Sequence, residues 1–173
     1  IILFEGEHPL DQLLNRLQNE ESLDTVPNLI YVKNEEVVRN STAKALPYDQ
    51  LACPNFDDLP LDKYLMPYPV LPYMASRGCY WGKCTFCTHS FIYDSHYRKE
   101  NEERVAEDID QLGKKYKTKY FTFSDEAISP NAFDRMSKAI LSRGVDMRAL
   151  GMLKFESDSV ETVELFENMH RAG

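Results

Sequence analysis

The 173-residue chain should fold as an α/β protein around a parallel sheet. Two observations predict this class. From Leu71 onward, short β-prone runs alternate with apolar stripes at helical spacing. Polar or glycine-bearing stretches separate them, so the segments read as successive βα units. Such units imply parallel strands, because each helix must carry the chain back across the sheet.

Ahead of that series, Ile1 to Phe4 is an apolar run fit for a buried strand, and Glu5-Gly6-Glu7 turns out of it. Leu10, Leu13, Leu14 and Leu17 then fall at i, i+3, i+4 and i+7. That spacing predicts an amphipathic helix with Pro9 in its first turn. Asn28 to Lys33 and Val37-Val38 flank the polar Asn34-Glu35-Glu36, which predicts a hairpin. Over residues 41–70, Pro47, Pro54, Pro60, Pro67 and Pro69 exclude a long helix or a central strand. This stretch reads as an ordered linker with one helical turn near Leu61 to Leu65.

Leu71 to Ala75 is the first strand of the βα series, with Pro72 confined to its start. Val105, Ile109, Leu112 and Tyr116 mark a helix, and Tyr120 to Phe123 a second strand. Ser129-Pro130 opens the next helix, which shows Phe133, Met136 and Ile140 on one face and Gly144 beyond its end. Met147 to Leu153 is the third strand. Asp158 and Glu161 have capping-box spacing, and Val160, Val163, Phe166 and Met169 carry a last helix to Gly173. The third strand should leave an unpaired edge, which invites pairing with a second copy, so a homo-oligomer is expected.

Bulk properties narrow the function classes. Hydrophobic content of 43% and charged content of 28% are those of a soluble globular protein. No apolar run approaches the roughly 20 residues that cross a bilayer. The net charge of −8 argues against a general nucleic-acid surface. The one dense basic run, Lys114 to Lys119, reads as a solvated helix end that complements the helix dipole. Three of the four cysteines are clustered, so they do not form a disulfide framework and fit a reducing cytoplasm. The chain opens without Met or a signal-peptide pattern and stops where a helix closes, so it is expected to be a piece of a longer protein.

Cys79, Cys84 and Cys87 form the most informative cluster, in Ser76-Arg77-Gly78-Cys79-Tyr80-Trp81-Gly82-Lys83-Cys84-Thr85-Phe86-Cys87. Three soft thiolates within nine residues suit iron or zinc, and three ligands leave one metal position open. The C-x4-C-x2-C spacing opens the plant-type ferredoxin pattern, but no later cysteine completes it. A zinc site completed by His89 or Cys53 is an alternative. So, for Cys53, is a small, partly buried structural residue. A phosphate loop fits poorly, because Cys84 stands where Ser or Thr is needed. The cysteines follow the carboxyl end of a strand in a βα series, the face at which ligands gather in parallel sheets. Asp125 and Glu126 end the second strand, where they suit a donor group such as an amine or form an acidic turn before the Ser129 cap. Tyr80 and Trp81 read as loop packing, and His96-Tyr97-Arg98 as loop or surface.

Ser76 to Cys87, followed by Phe121-Thr122-Phe123-Ser124-Asp125-Glu126, resembles the opening half of a radical S-adenosylmethionine enzyme. The resemblance implies that Cys79, Cys84 and Cys87 hold a 4Fe-4S cluster whose open iron takes the amino and carboxyl groups of S-adenosylmethionine. One-electron reduction, from an external donor, then yields a 5′-deoxyadenosyl radical that acts on a substrate the sequence does not identify. By position, Phe86 would neighbour the adenine, and Glu126 with Asp125 the amino group. The first cysteine gap is one residue longer than the commonest family spacing, and Gly82 can absorb the difference. Ile1 to Leu17 resembles the last strand and helix of a cobalamin-binding domain, and the Pro-rich linker resembles the join in cobalamin-dependent members. The implied architecture is the first half of a (βα) partial barrel over residues 71–173, preceded by a linker at 41–70 and the tail of a Rossmann-like cobalamin-type domain at 1–40. Cobalamin would belong to the longer protein, and this piece alone should not turn over.

Overall fold

The structure, a computed structural model, describes residues 1–89, 97–154 and 163–173. Its centre is a parallel sheet of β3 (Val70–Tyr73), β6 (Tyr120–Phe123) and β7 (Arg148–Leu150), in the order β3-β6-β7. Leu71 pairs with Phe121, and Phe121 with Ala149. Alternation places Leu71, Tyr73, Phe121 and Phe123 in the core. Helices α2 (Glu102–Tyr116), α3 (Pro130–Arg143) and α4 (Val163–Ala172) follow β5 (Arg98–Lys99), β6 and β7 in the chain. Val105, Ile109 and Leu112 of α2 and Phe133, Met136 and Ile140 of α3 complete the core. Full burial of Leu71, Ile109 and Ile140 contributes about 2 kcal/mol for each side chain.

Local chemistry fixes the helix ends. Asn101 Oδ1 accepts the Glu103 N–H at 2.9 Å at the start of α2. Ser129 Oγ accepts the Ala132 N–H at 3.3 Å ahead of Pro130, and Gly144 closes α3 at φ 65°. The Lys114 to Lys119 run is the expected solvated helix end, with Lys114 paired to Asp110 and Lys115 to Asp57. Among the described residues, no helix is long and apolar enough to cross a membrane.

Several expectations change. Pro72 lies inside β3, which tolerates it because β3 is an edge strand and needs no outward N–H. The first strand therefore ends at Tyr73, and Ser76–Arg77 forms a separate strand, β4, antiparallel to β5 (Arg98–Lys99). The third strand is shorter than Met147 to Leu153, with a single further bridge from Leu153 to Ile128. Its outer edge is partly met by the chain itself, since the Ala149 N–H donates to the Gly173 carbonyl at 3.1 Å. In α4 the buried residues are Leu165, Asn168 and Ala172, while Val163 is 75% exposed. Leu165 and Ala172 join the core with Met169 of the expected stripe packed against it, and Asn168 Nδ2 donates to Asp134 Oδ1 of α3 at 3.1 Å. Asp158, Val160 and Glu161 lie outside the described residues.

Ile1 to Phe4 is not a buried strand. It makes one bridge, Ile2 to Leu29, and Ile1 is 83% exposed. Helix α1 (Glu7–Gln18) forms as expected, but Leu10, Leu14 and Leu17 face outward. The hairpin pairs β1 (Ile30–Lys33) with β2 (Glu36–Arg39). Asn34 and Glu35 form its two-residue turn, at φ 51° and 67°. A left-handed Glu is strained where Gly is not, so Glu35→Gly should stabilise the fold by about 1 kcal/mol. A urea midpoint no higher than wild type would contradict this.

The linker packs across α2. Single helical turns occur at Tyr48–Gln50 and Leu61–Lys63. The Phe56 N–H donates to Tyr116 Oη at 2.8 Å, and the two rings meet edge to face at 5.5 Å.

Candidate functional site

The cysteine loop leaves β4 and returns in β5, just beyond the carboxyl end of β3. This antiparallel base has its own charge network. Arg77 Nη1 donates to Glu5 Oε2 at 2.7 Å, and Arg77 also pairs with Glu7. Arg98 donates to the other Glu5 oxygen and to the Leu46 carbonyl. Burial works against the Arg77 charge, yet its hydrogen bonds to Glu7 and Glu5 hold its pKa above the ordinary value. The same Arg77 bond holds the Glu7 carboxyl below its usual range. Arg98 is therefore a structural cation rather than a surface residue.

Within the loop, Gly78 and Gly82 take positive φ, 81° and 58°, which glycine adopts without strain. Cys79, Cys84 and Cys87 are free thiols, with Cys84 exposed. The Cys87 N–H donates to the Cys84 carbonyl at 3.2 Å, a tight turn between the last two cysteines. Phe86 stands on that turn, 87% exposed. Tyr80 meets Tyr97 edge to face at 6.1 Å, the loop packing expected of it. Among the described residues, no group of three His, Cys, Asp or Glu side chains converges as a metal site.

Cys53 stands apart, packed against the core. Burial, reinforced by Asp108, pushes its thiol up to about 11. A thiol that high is protonated at neutral pH and is a weak ligand.

The strand-end acids have separate surroundings. Asp125 is 2% exposed. Its Oδ2 accepts the Ala75 N–H at 3.0 Å and its Oδ1 the Ser76 hydroxyl at 2.5 Å. Both oxygens thus anchor the entry to β4. Burial pushes the Asp125 carboxyl upward, while the Ser76 and Ala75 bonds pull the other way. Glu126 turns toward the loop. His89 Nδ1 lies 3.2 Å from Glu126 Oε1, and Glu126 Oε2 is buried with no hydrogen-bond partner among the described residues. An unpaired buried carboxylate oxygen is costly and invites a donor.

The sequence singled out the cysteines and both acids as candidates but did not foresee the pairings of Ser76 with Asp125 or of Arg77 and Arg98 with Glu5. The available signal was the alternation of charge in Glu5-Gly6-Glu7 against Arg77 and Arg98. Nothing local pairs residues so far apart.

The comparisons agree on architecture. No protein-family model matches the chain. An uncharacterized methyltransferase of Pyrococcus horikoshii is 32% identical over 155 residues, covering 85% of this chain and 33% of its own length. The chain thus spans about a third of that curated relative. Among solved structures, the cobalamin-dependent S-adenosylmethionine radical enzyme OxsB superposes with a TM-score of 0.74 at 22% identity, covering 98% of this chain and 26% of OxsB. The radical S-adenosylmethionine methyltransferase TsrM of Kitasatospora setae, with cobalamin and a 4Fe-4S cluster bound, gives 0.65 at 14% identity, covering 99% and 36%. The mixed α/β fold with its parallel sheet is similar to that of cobalamin-dependent radical S-adenosylmethionine enzymes.

Proposed function

We propose that this chain is the opening half of a radical S-adenosylmethionine enzyme, preceded by the tail of a cobalamin-type domain. The observation that carries the reading is a juxtaposition. A C-x4-C-x2-C loop stands at the carboxyl end of a parallel strand, and His89 at its far side meets Glu126, whose second oxygen has no partner among the described residues.

The residues fit the group in kind. Three unbridged thiols supply the soft ligand set that an iron–sulfur cluster takes, and the orphaned Glu126 oxygen is an acceptor for an amine. Cys79, Cys84 and Cys87 would hold the cluster, so binding is coupled to closure of the loop. A 4Fe-4S cluster held there would supply one electron, drawn from an external donor, for cleavage of the S-adenosylmethionine C–S bond to methionine and the 5′-deoxyadenosyl radical. Glu126 Oε2 would accept from the cofactor's amino group, Phe86 would lie beside the adenine, and Asp125 would keep the turn that carries Glu126 in place. Residues 1–40, 41–70 and 71–173 would serve as remnant, linker and half-barrel, and cobalamin would be held by the longer protein.

The test is the electron paramagnetic resonance spectrum of the reduced, anaerobically reconstituted chain. A cluster signal that changes on adding S-adenosylmethionine is expected, because the nucleotide binds the open iron. A cluster signal indifferent to S-adenosylmethionine, or one bound zinc per chain, would sink the reading in favour of a structural or electron-transfer module.

A further inference from the structure

Tyr80, Trp81, Gly82 and Lys83 fill the gap between Cys79 and Cys84. Trp81 is the only tryptophan of the chain. Two ammonium groups lie over its ring, Lys154 Nζ at 3.6 Å from the centroid and Lys83 Nζ at 4.8 Å. Lys83 belongs to the loop, whereas Lys154 does not. It follows Leu153, whose parallel bridge to Ile128 prolongs the pairing of β6 with β7. The Ile128 N–H donates to the Met152 carbonyl at 3.0 Å in the same stretch. The segment that carries Lys154 is therefore paired with the segment that carries Glu126. A cation over an indole is attracted by the ring's negative face, and tryptophan gives the strongest such contact.

We propose that Lys154 is a positioning residue that seats the cysteine loop against the third strand through Trp81. The contact fixes the first cysteine gap on the side of the sheet where Glu126 stands. The four-residue gap then has a physical use, because it provides both the ring and a second cation to grip it. The proposal rests on the cluster reading for its consequence but not for its geometry. Loss of the Lys154 contact should lower the ratio of seated to unseated loop about fivefold.

The experiment compares Lys154→Met and Lys154→Arg with wild type in the full 173-residue chain. Acrylamide quenching of the single tryptophan in the iron-free chain reports the seat of Trp81. The rate of iron loss to a chelator after reconstitution reports its consequence. The Met variant should be quenched more strongly and should lose iron about fivefold faster. The Arg variant should restore both, because a guanidinium also stacks on an aromatic face. Unchanged quenching in the Met variant, or unchanged iron loss, overturns the proposal. If the wild-type chain takes up no iron, the cluster reading fails, and the quenching comparison alone decides whether Lys154 seats Trp81.

Discussion

Replacing Cys84 with alanine should reduce iron in the anaerobically reconstituted chain from about four atoms to fewer than one. A 4Fe-4S cubane held by three thiolates has no spare protein ligand. Removal of one leaves two anchors for four irons. Cys79→Ala and Cys87→Ala should behave alike, and sulfide should fall in step with iron. Cys53→Ala is the control. Its thiol is pushed up to about 11 and packs on the core, so its loss should leave iron unchanged. Iron and sulfide analysis of the four variants decides the matter. Full iron content in any of the three loop variants would remove the basis of the proposed function.

Asp125→Ala should destabilise the fold by about 3 kcal/mol. The carboxylate accepts from the Ala75 N–H and the Ser76 hydroxyl, both at buried positions. Alanine would leave two buried donors unpaired, and each such loss costs about 1–3 kcal/mol. Asp125→Asn should cost less than about 1 kcal/mol, because the amide can accept from Ala75 and donate to the Ser76 oxygen. The pH dependence separates them further. Burial places the folded-state pKa of Asp125 above the ordinary 3.8, so the folded chain binds this proton more tightly than the unfolded chain. The contribution is therefore fully present below the unfolded value and is lost as pH rises through the folded one. Asp125→Asn should remove that component of the slope. Urea unfolding between acid and neutral pH measures both effects, and an alanine variant as stable as wild type would refute the anchoring role.

The sequence carried what is local. Ser129-Pro130 and Gly144 bound α3 because capping chemistry operates within a turn. Asn34 marked the hairpin for the same reason. The cysteine loop stood out because the spacing of its thiols is itself a local pattern. What escaped depends on distant partners. β5 exists only by pairing with β4 across the whole loop. The inner face of α4 is set by where Leu165 and Ala172 reach the core built by other elements. The apolar run at Ile1 to Phe4 looked like a core strand, since periodicity reports apolarity and not the presence of a neighbour. Asp125 and Glu126, adjacent in sequence, divide into an anchor for the chain and an acid facing the loop, and their distant partners separate them, Ala75 and Ser76 for one and His89 for the other.

Glu5 joins Arg77 and Arg98 across separations of 72 and 93 residues. As the chain leaves the ribosome, that carboxylate must wait until Arg98 has been made before the foundation of the loop is electrically complete. Such a long-range closure forms late and slowly compared with the helices around it. The cysteines therefore emerge, and stay open to oxidants, before the platform beneath them has set.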